Sequence, residues 1–103
     1  MDERLRRAAQ SGNIDALYDL IQDDADVLRR IDEMQFVDTP LHIAAAAGHT
    51  EFAMELMNLK PSFARKLNQC GFSPLHLALQ NKQEKMEDYL DHMRIQNGQD
   101  NSA

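Results

Sequence analysis

Thr39-Pro40-Leu41-His42-Ile43-Ala44-Ala45-Ala46-Ala47-Gly48-His49 decides how the rest of the chain is read, and its opening returns 34 residues later as Ser73-Pro74-Leu75-His76-Leu77-Ala78. A hydroxyl residue before Pro marks a helix start, because the Thr39 or Ser73 side chain can accept from free backbone N–H groups of the first turn. Pro40 and Pro74 then stand at the first helical position, where a missing N–H costs nothing and the fixed φ suits a helix. The alanines keep the helix slim, so neighbours approach closely, and Gly48 closes it in a left-handed conformation. Such a helix has about two to three turns and is too short to be stable alone. It needs neighbours, and the recurrence supplies them.

Leu5, Ala8, Ala9 and Gly12 stand 36 residues before Leu41, Ala44, Ala45 and Gly48. They mark a first unit without the Thr-Pro-Leu-His opening, in which Asp2 or Glu3 opens a helix over Leu5 to Ser11. Arg4, Arg6, Arg7 and Gln10 make it polar, as the end of a stack requires. The arginines also suggest a phosphate-binding patch, but the acids beside them favour a solvated cap. A second helix over Ile14 to Gln22 carries the stripe Ala16, Leu17, Leu20 and Ile21 at helical spacing. Phe52, Ala53, Leu56 and Met57 hold the same places in the next unit, behind His49, as Asn13 precedes the first. Asp23-Asp24-Ala25-Asp26 lacks the ligand spacing of a calcium loop and reads as solvated.

Val27 to Asp32 matches Phe63 to Asn68, each leading into a linking turn or hairpin. The first link, Glu33 to Asp38, is two residues longer than Gln69 to Phe72 and has no counterpart of Gly71. Met34, Phe36 and Val37 crowd it, and Phe36 or Val37 is expected to fold back onto the stack rather than stand exposed. In the third unit Lys82 replaces the closing glycine, so Asn81 is expected to take the left-handed position. Glu87 and Asp91 replace Ala53 and Met57, while Met86, Tyr89, Leu90 and Met93 keep an apolar stripe. This segment is either a capping unit or one that has left the repeat frame. Leu41 and Leu75 are expected to be equivalent core positions.

A period near 33 with Thr-Pro-Leu-His-x-Ala is the ankyrin signature, and the chain resembles ankyrin-repeat proteins. The second copy also carries the lead-in Asn68-Gln69-Cys70-Gly71-Phe72. The resemblance implies an all-α solenoid of about three helix-turn-helix repeats joined by hairpin-like turns. They fall at about 3–36, 37–70 and 71–93 of one domain over 1–93, followed by a polar, disordered tail over 94–103. It also implies that the motif histidine hydrogen-bonds the neighbouring turn. Met54 to Ala64, Lys66-Leu67-Asn68 and Ser73 to Ala78 are more narrowly similar to plant ankyrin-repeat proteins of immune signalling. Those carry a C-terminal membrane-spanning PGG domain, and the likeness extends over residues 1–83.

The chain has 103 residues with a net charge of −6, which argues against a protein built to coat nucleic acid or an anionic membrane. Residues 1–38 hold 10 acids and 5 bases, against 2 and 3 over residues 39–80; the nearly neutral middle suits a unit sandwiched between solvated ends. A single cysteine, Cys70, excludes an internal disulfide. No apolar run reaches the length of a membrane helix, and no signal peptide opens the chain. These features predict a cytoplasmic protein, membrane-anchored only in a longer form.

No catalytic set, phosphate loop or cofactor motif stands out, so the chain is not read as an enzyme. Cys70 with one His is too few ligands for zinc. Arg29-Arg30 and Arg65-Lys66 recur with the fold but lack an aromatic platform for nucleic acid; they read as a charged strand edge. The resemblance implies a concave binding face made of Gln10 and Ser11, Ala46 and Ala47, and Gln80 and Asn81, with Met34, Gln35, Phe36, Cys70 and Phe72 at the tips. The expected function is a protein-interaction module, scaffold or adaptor, as a monomer with another protein as partner. The alternative is a short form of a longer membrane-anchored protein with interfering or no independent binding.

Overall fold

In the computed structural model three helical hairpins stack side by side; it describes the backbone of residues 1–102 and the side chains of residues 1–93. Among the described residues the order is α1 (Glu3–Ser11), α2 (Ile14–Asp23), α3 (Val27–Asp32), α4 (Pro40–Ala47), α5 (Thr50–Leu59), a 3-10 turn (Pro61–Arg65), α6 (Pro74–Gln80) and α7 (Glu84–Ser102). The inner helices α1, α4 and α6 form one row with α4 in the middle, and α2, α5 and α7 pack behind them. The backbone of the expected tail is thus helical as far as Ser102; the side chains from 94 onward lie outside the described residues.

The local chemistry explains each start and stop. Asp2 accepts from the Arg4 amide at 2.8 Å and opens α1, and Asn13 accepts from the Ala16 amide at 3.0 Å to open α2. At α4 the cap is reciprocal. Thr39 Oγ1 accepts from the amides of Leu41 and His42, while His42 Nδ1 accepts from the Thr39 amide at 3.1 Å. Ser73 and His76 repeat that arrangement at α6. The motif histidine therefore does the work of the acid in an ordinary capping box.

Each inner helix ends in the same turn. The amides of Asn13, His49 and Gln83 donate back to the carbonyls of Ala8, Ala44 and Ala78 at 2.9–3.0 Å. Such a turn needs one left-handed residue, supplied by Gly12, Gly48 and then Lys82 at φ +55°. Asn81 does not take that role. Its φ is −98°, and its Nδ2 instead donates to the Leu77 carbonyl. The repeat register places the left-handed residue whatever side chain stands there.

The core is Leu5, Leu17, Leu41, Phe52, Leu56, Phe63 and Met86 with the small residues Ala9, Ala44, Ala45, Ala53 and Ala78 between them. Leu41 is fully buried, whereas Leu75 is only half-buried and Leu79 is 51% exposed. The two motif leucines are therefore not equivalent, because nothing in the chain's described part covers α6 as α6 covers α4.

The basic pairs do not lie on a strand edge. Arg29 and Arg30 ride on α3, where Val27, Leu28 and Ile31 are buried at helical spacing. Arg29 bonds Glu33 at 2.8 Å and Asp26 at 3.2 Å along one helix flank, and Arg30 grips Asp24, holding that carboxyl below the ordinary carboxylate range. Arg65 closes the 3-10 turn. The one β-type contact among the described residues is an isolated parallel bridge between Phe36 and Leu67.

Candidate functional site

Along the inner helices runs an open apolar hollow of about 370 Å³, lined by Gln10, Asp38, His42, Ile43, Ala46, Ala47 and Leu77. It forms because α4 places Ile43, Ala46 and Ala47 one turn apart on the side facing away from α5, while α1 and α6 add Gln10 and Leu77. Ala46 and Ala47 are short, so the floor stays open.

Two histidines hold the row together at opposite ends. Since His42 Nδ1 accepts from the Thr39 amide, its proton is on Nε2, which donates to the Phe72 carbonyl of the next link at 2.9 Å. Burial lowers the pKa of His42 below the ordinary value, and the Phe72 carbonyl and Asp38 only partly offset it. A second proton would also face the Thr39 N–H, donor against donor. At the other end His49 Nε2 donates to the Gln10 carbonyl at 2.8 Å, and Gln83 Nε2 donates to the Ala46 carbonyl at 3.3 Å. Each of these side chains lies over the closing glycine of the preceding unit. A Cβ on Gly12 would stand 2.8 Å from the His49 ring, and one on Gly48 would strike the Gln83 amide.

The tips beside the hollow are tied down. Lys66 Nζ donates to the Met34 carbonyl at 2.7 Å, the Val37 amide to Leu67 at 3.1 Å, and Asn68 Nδ2 to Asp38 at 3.0 Å. Val37 packs against the core, but Phe36 is 56% exposed next to exposed Met34. Of the two residues expected to fold back, only Val37 does so. The added length of the first link carries Phe36 out to the bridge with Leu67.

Of the expected face, Gln10, Ala46 and Ala47 line the hollow. Ser11 does not, since it borders a separate hollow with Arg4, Arg7 and Asn13 on the outer side of α1 and α2, and its Oγ donates to the Arg7 carbonyl. Gln80 and Asn81 are exposed beyond the hollow's end, and Met34, Gln35, Phe36 and Cys70 are exposed at the tips. Phe72 is half-buried with its ring 6.0 Å from that of His76. Sequence reasoning missed Ile43 and Leu77, which occupy the variable position of Thr-Pro-Leu-His-x-Ala. The signal was their three-residue lead on Ala46 and Gln80 along a helix face. Asp38 was also missed. Among the described residues no group of three or more His, Cys, Asp or Glu is placed to hold a metal ion, and no helix is long and apolar enough to cross a membrane.

The model of the family described as ankyrin repeats in three copies matches residues 5–101. The chain belongs to the ankyrin-repeat family. It is 52% identical over 73 residues to ankyrin repeat-containing protein BDA1 of Arabidopsis thaliana, covering 71% of this chain and 17% of that protein. It is 31% identical over 88 residues to alpha-latrotoxin-Lh1a of Latrodectus hasselti, covering 85% of this chain and 6% of the toxin. The chain thus spans less than a fifth of the length of either relative. No solved structure matches it significantly. Ankyrin repeats are protein-interaction modules.

Proposed function

We propose that the chain is a protein-interaction module, a scaffold or adaptor in plant defence signalling, that binds its partner on the hollow between α1, α4 and α6. The observation that carries this reading is the open apolar floor of Ile43, Ala46, Ala47 and Leu77, with Phe36 exposed in the link that brings Asp38 to its edge. A few anchors around a small apolar floor are what a specific interface needs. The likeness to the Arabidopsis protein supports the plant setting. The repeats are taken as about 3–36, 37–70 and 71–93 of one domain. A cytoplasmic setting suits the lone exposed thiol of Cys70, and the chain is taken to act as a monomer.

The test recovers partners from plant extract with the intact chain and measures their affinity by calorimetry. Replacing exposed Ala47 with Arg, or Phe36 with Ala, is expected to weaken binding about tenfold, near 1.4 kcal/mol, with unchanged helical content. Replacing Glu51 and Glu55 on the outer helix is expected to leave affinity unchanged. The reverse pattern would move the site to the convex side, and a chain that holds no partner would support the short-form reading.

A further inference from the structure

A second surface, on the end of the row, is shaped for an occupant of different chemistry. We propose that the end face of α6 and α7 docks a basic amphipathic helix of a partner protein. The argument is continuity with the interface between the second and third units. There α6 covers Leu41 and Ala45 completely, Ala53 and Met57 are buried, and His42 Nε2 donates a hydrogen bond to the Phe72 carbonyl. In the third unit those five positions are Leu75, Leu79, Glu87, Asp91 and His76.

Leu75, Leu79, Glu87, Asp88 and Asp91 border one hollow of about 280 Å³. His76 is exposed, and the Ser73 amide donates to its Nδ1 at 2.9 Å, so its Nε2 N–H is oriented outward as that of His42 is. The face therefore asks for an apolar strip against Leu75 and Leu79, an acceptor for His76 and cations opposite Glu87 and Asp88. Two positions that are apolar at the inner interface are acids here, which complements a positively charged occupant.

A second copy of the chain does not meet this requirement. Its outer face on α1 and α2 carries Asp19 and Asp23, and stacking it in the manner of the repeats would set those acids against Glu87 and Asp91. Its Arg4 and Arg7 are engaged by Asp2, Asp23 and Glu3.

The probe is a helix-forming peptide of about 18 residues, long enough to hold its fold in water, with a Leu/Ala face flanked by lysines at i and i+4. A second peptide has glutamates in place of the lysines. Isotope-labelled chain titrated with the lysine peptide is expected to show shifts at Leu75, His76 and Leu79, with affinity falling about tenfold in Glu87→Lys with Asp88→Lys and in Leu79→Ala. Leu79 is exposed and Ala favours a helix, so this variant keeps the fold. Ala47→Arg, which is expected to weaken binding at the inner hollow, is expected to leave the affinity for this peptide unchanged, which separates the two surfaces. Equal binding of the glutamate peptide, shifts confined to Ile43, Ala46 and Leu77, no binding at all, or self-association of the chain through Leu79 in sedimentation would overturn the proposal.

Discussion

The second and third units carry the same motif, and comparing them shows what the motif does by itself and what it does only when covered. Thr39 with His42 and Ser73 with His76 build the same cap, so that part is local chemistry. The rest depends on a neighbour. Leu41 and His42 are buried because α6 and the Phe72 link lie over them, whereas Leu75 is half-buried and His76 exposed. Gly48 has Gln83 pressed onto it, whereas Lys82 bears a Cβ in the same turn. A repeat is therefore a sequence whose buried face is completed by the next unit, and its stability rises with each interface it makes.

The largest consequence concerns the leucines. Leu41→Ala empties a fully enclosed place and is expected to cost about 2–5 kcal/mol. Leu75→Ala removes a side chain that already meets solvent and is expected to cost less than about half as much. Chemical denaturation of both variants decides this. Equal losses would mean that the third unit is as tightly enclosed as the second, and the comparison would fail.

A smaller effect follows from the buried histidine. Because the folded state holds the pKa of His42 below 6.5, the unfolded chain takes up the proton first as the pH falls. Its contribution is thus fully present above the unfolded value and is lost as the pH drops from about 6.5 toward the folded value. Denaturation at about pH 7.5 and about pH 5.5, either side of the ordinary histidine range, is expected to show lower stability at the acid side. In His42→Gln the level falls at both values and this part of the slope disappears. A slope unchanged in that variant would place its origin elsewhere.

Much of this was legible in the residues. Thr39-Pro40 and Ser73-Pro74 announced helix starts, and Gly12 and Gly48 announced their ends, because caps are set by the few residues around them. What was not legible depended on contacts made elsewhere. Arg29 and Arg30 looked like an edge because two adjacent charges mask a turn of helix; the signal was Val27, Leu28 and Ile31. Asn81 looked like the left-handed residue because Asn tolerates that conformation better than Lys, yet the bond from Gln83 to Ala78 fixes the position one residue later. For the hollow along the inner helices, the signature names the residues that pack between units, so Ile43 and Leu77, which vary between copies, carried no flag. Ser11 lies off this hollow because its turn faces the outer side of α1.

The smallest expected effects test the two closing turns against each other. Gly48 has φ +80° and Lys82 has φ +55°, and a residue with a Cβ is disfavoured in that region by about 1–2 kcal/mol. Gly48→Ala is expected to cost at least that much, since the new methyl must also displace Gln83 and its bond to the Ala46 carbonyl. Lys82→Gly relieves the same strain with nothing to displace. Its gain is reduced by the extra freedom glycine gives the unfolded chain, which is worth about 0.4–1 kcal/mol. The net expectation is a stabilisation below about 1 kcal/mol, read as a small rise in the denaturation midpoint with an unchanged slope. A loss on Lys82→Gly would show that the Lys82 side chain makes a contact worth more than its strain, and the third turn would then be a built feature in its own right.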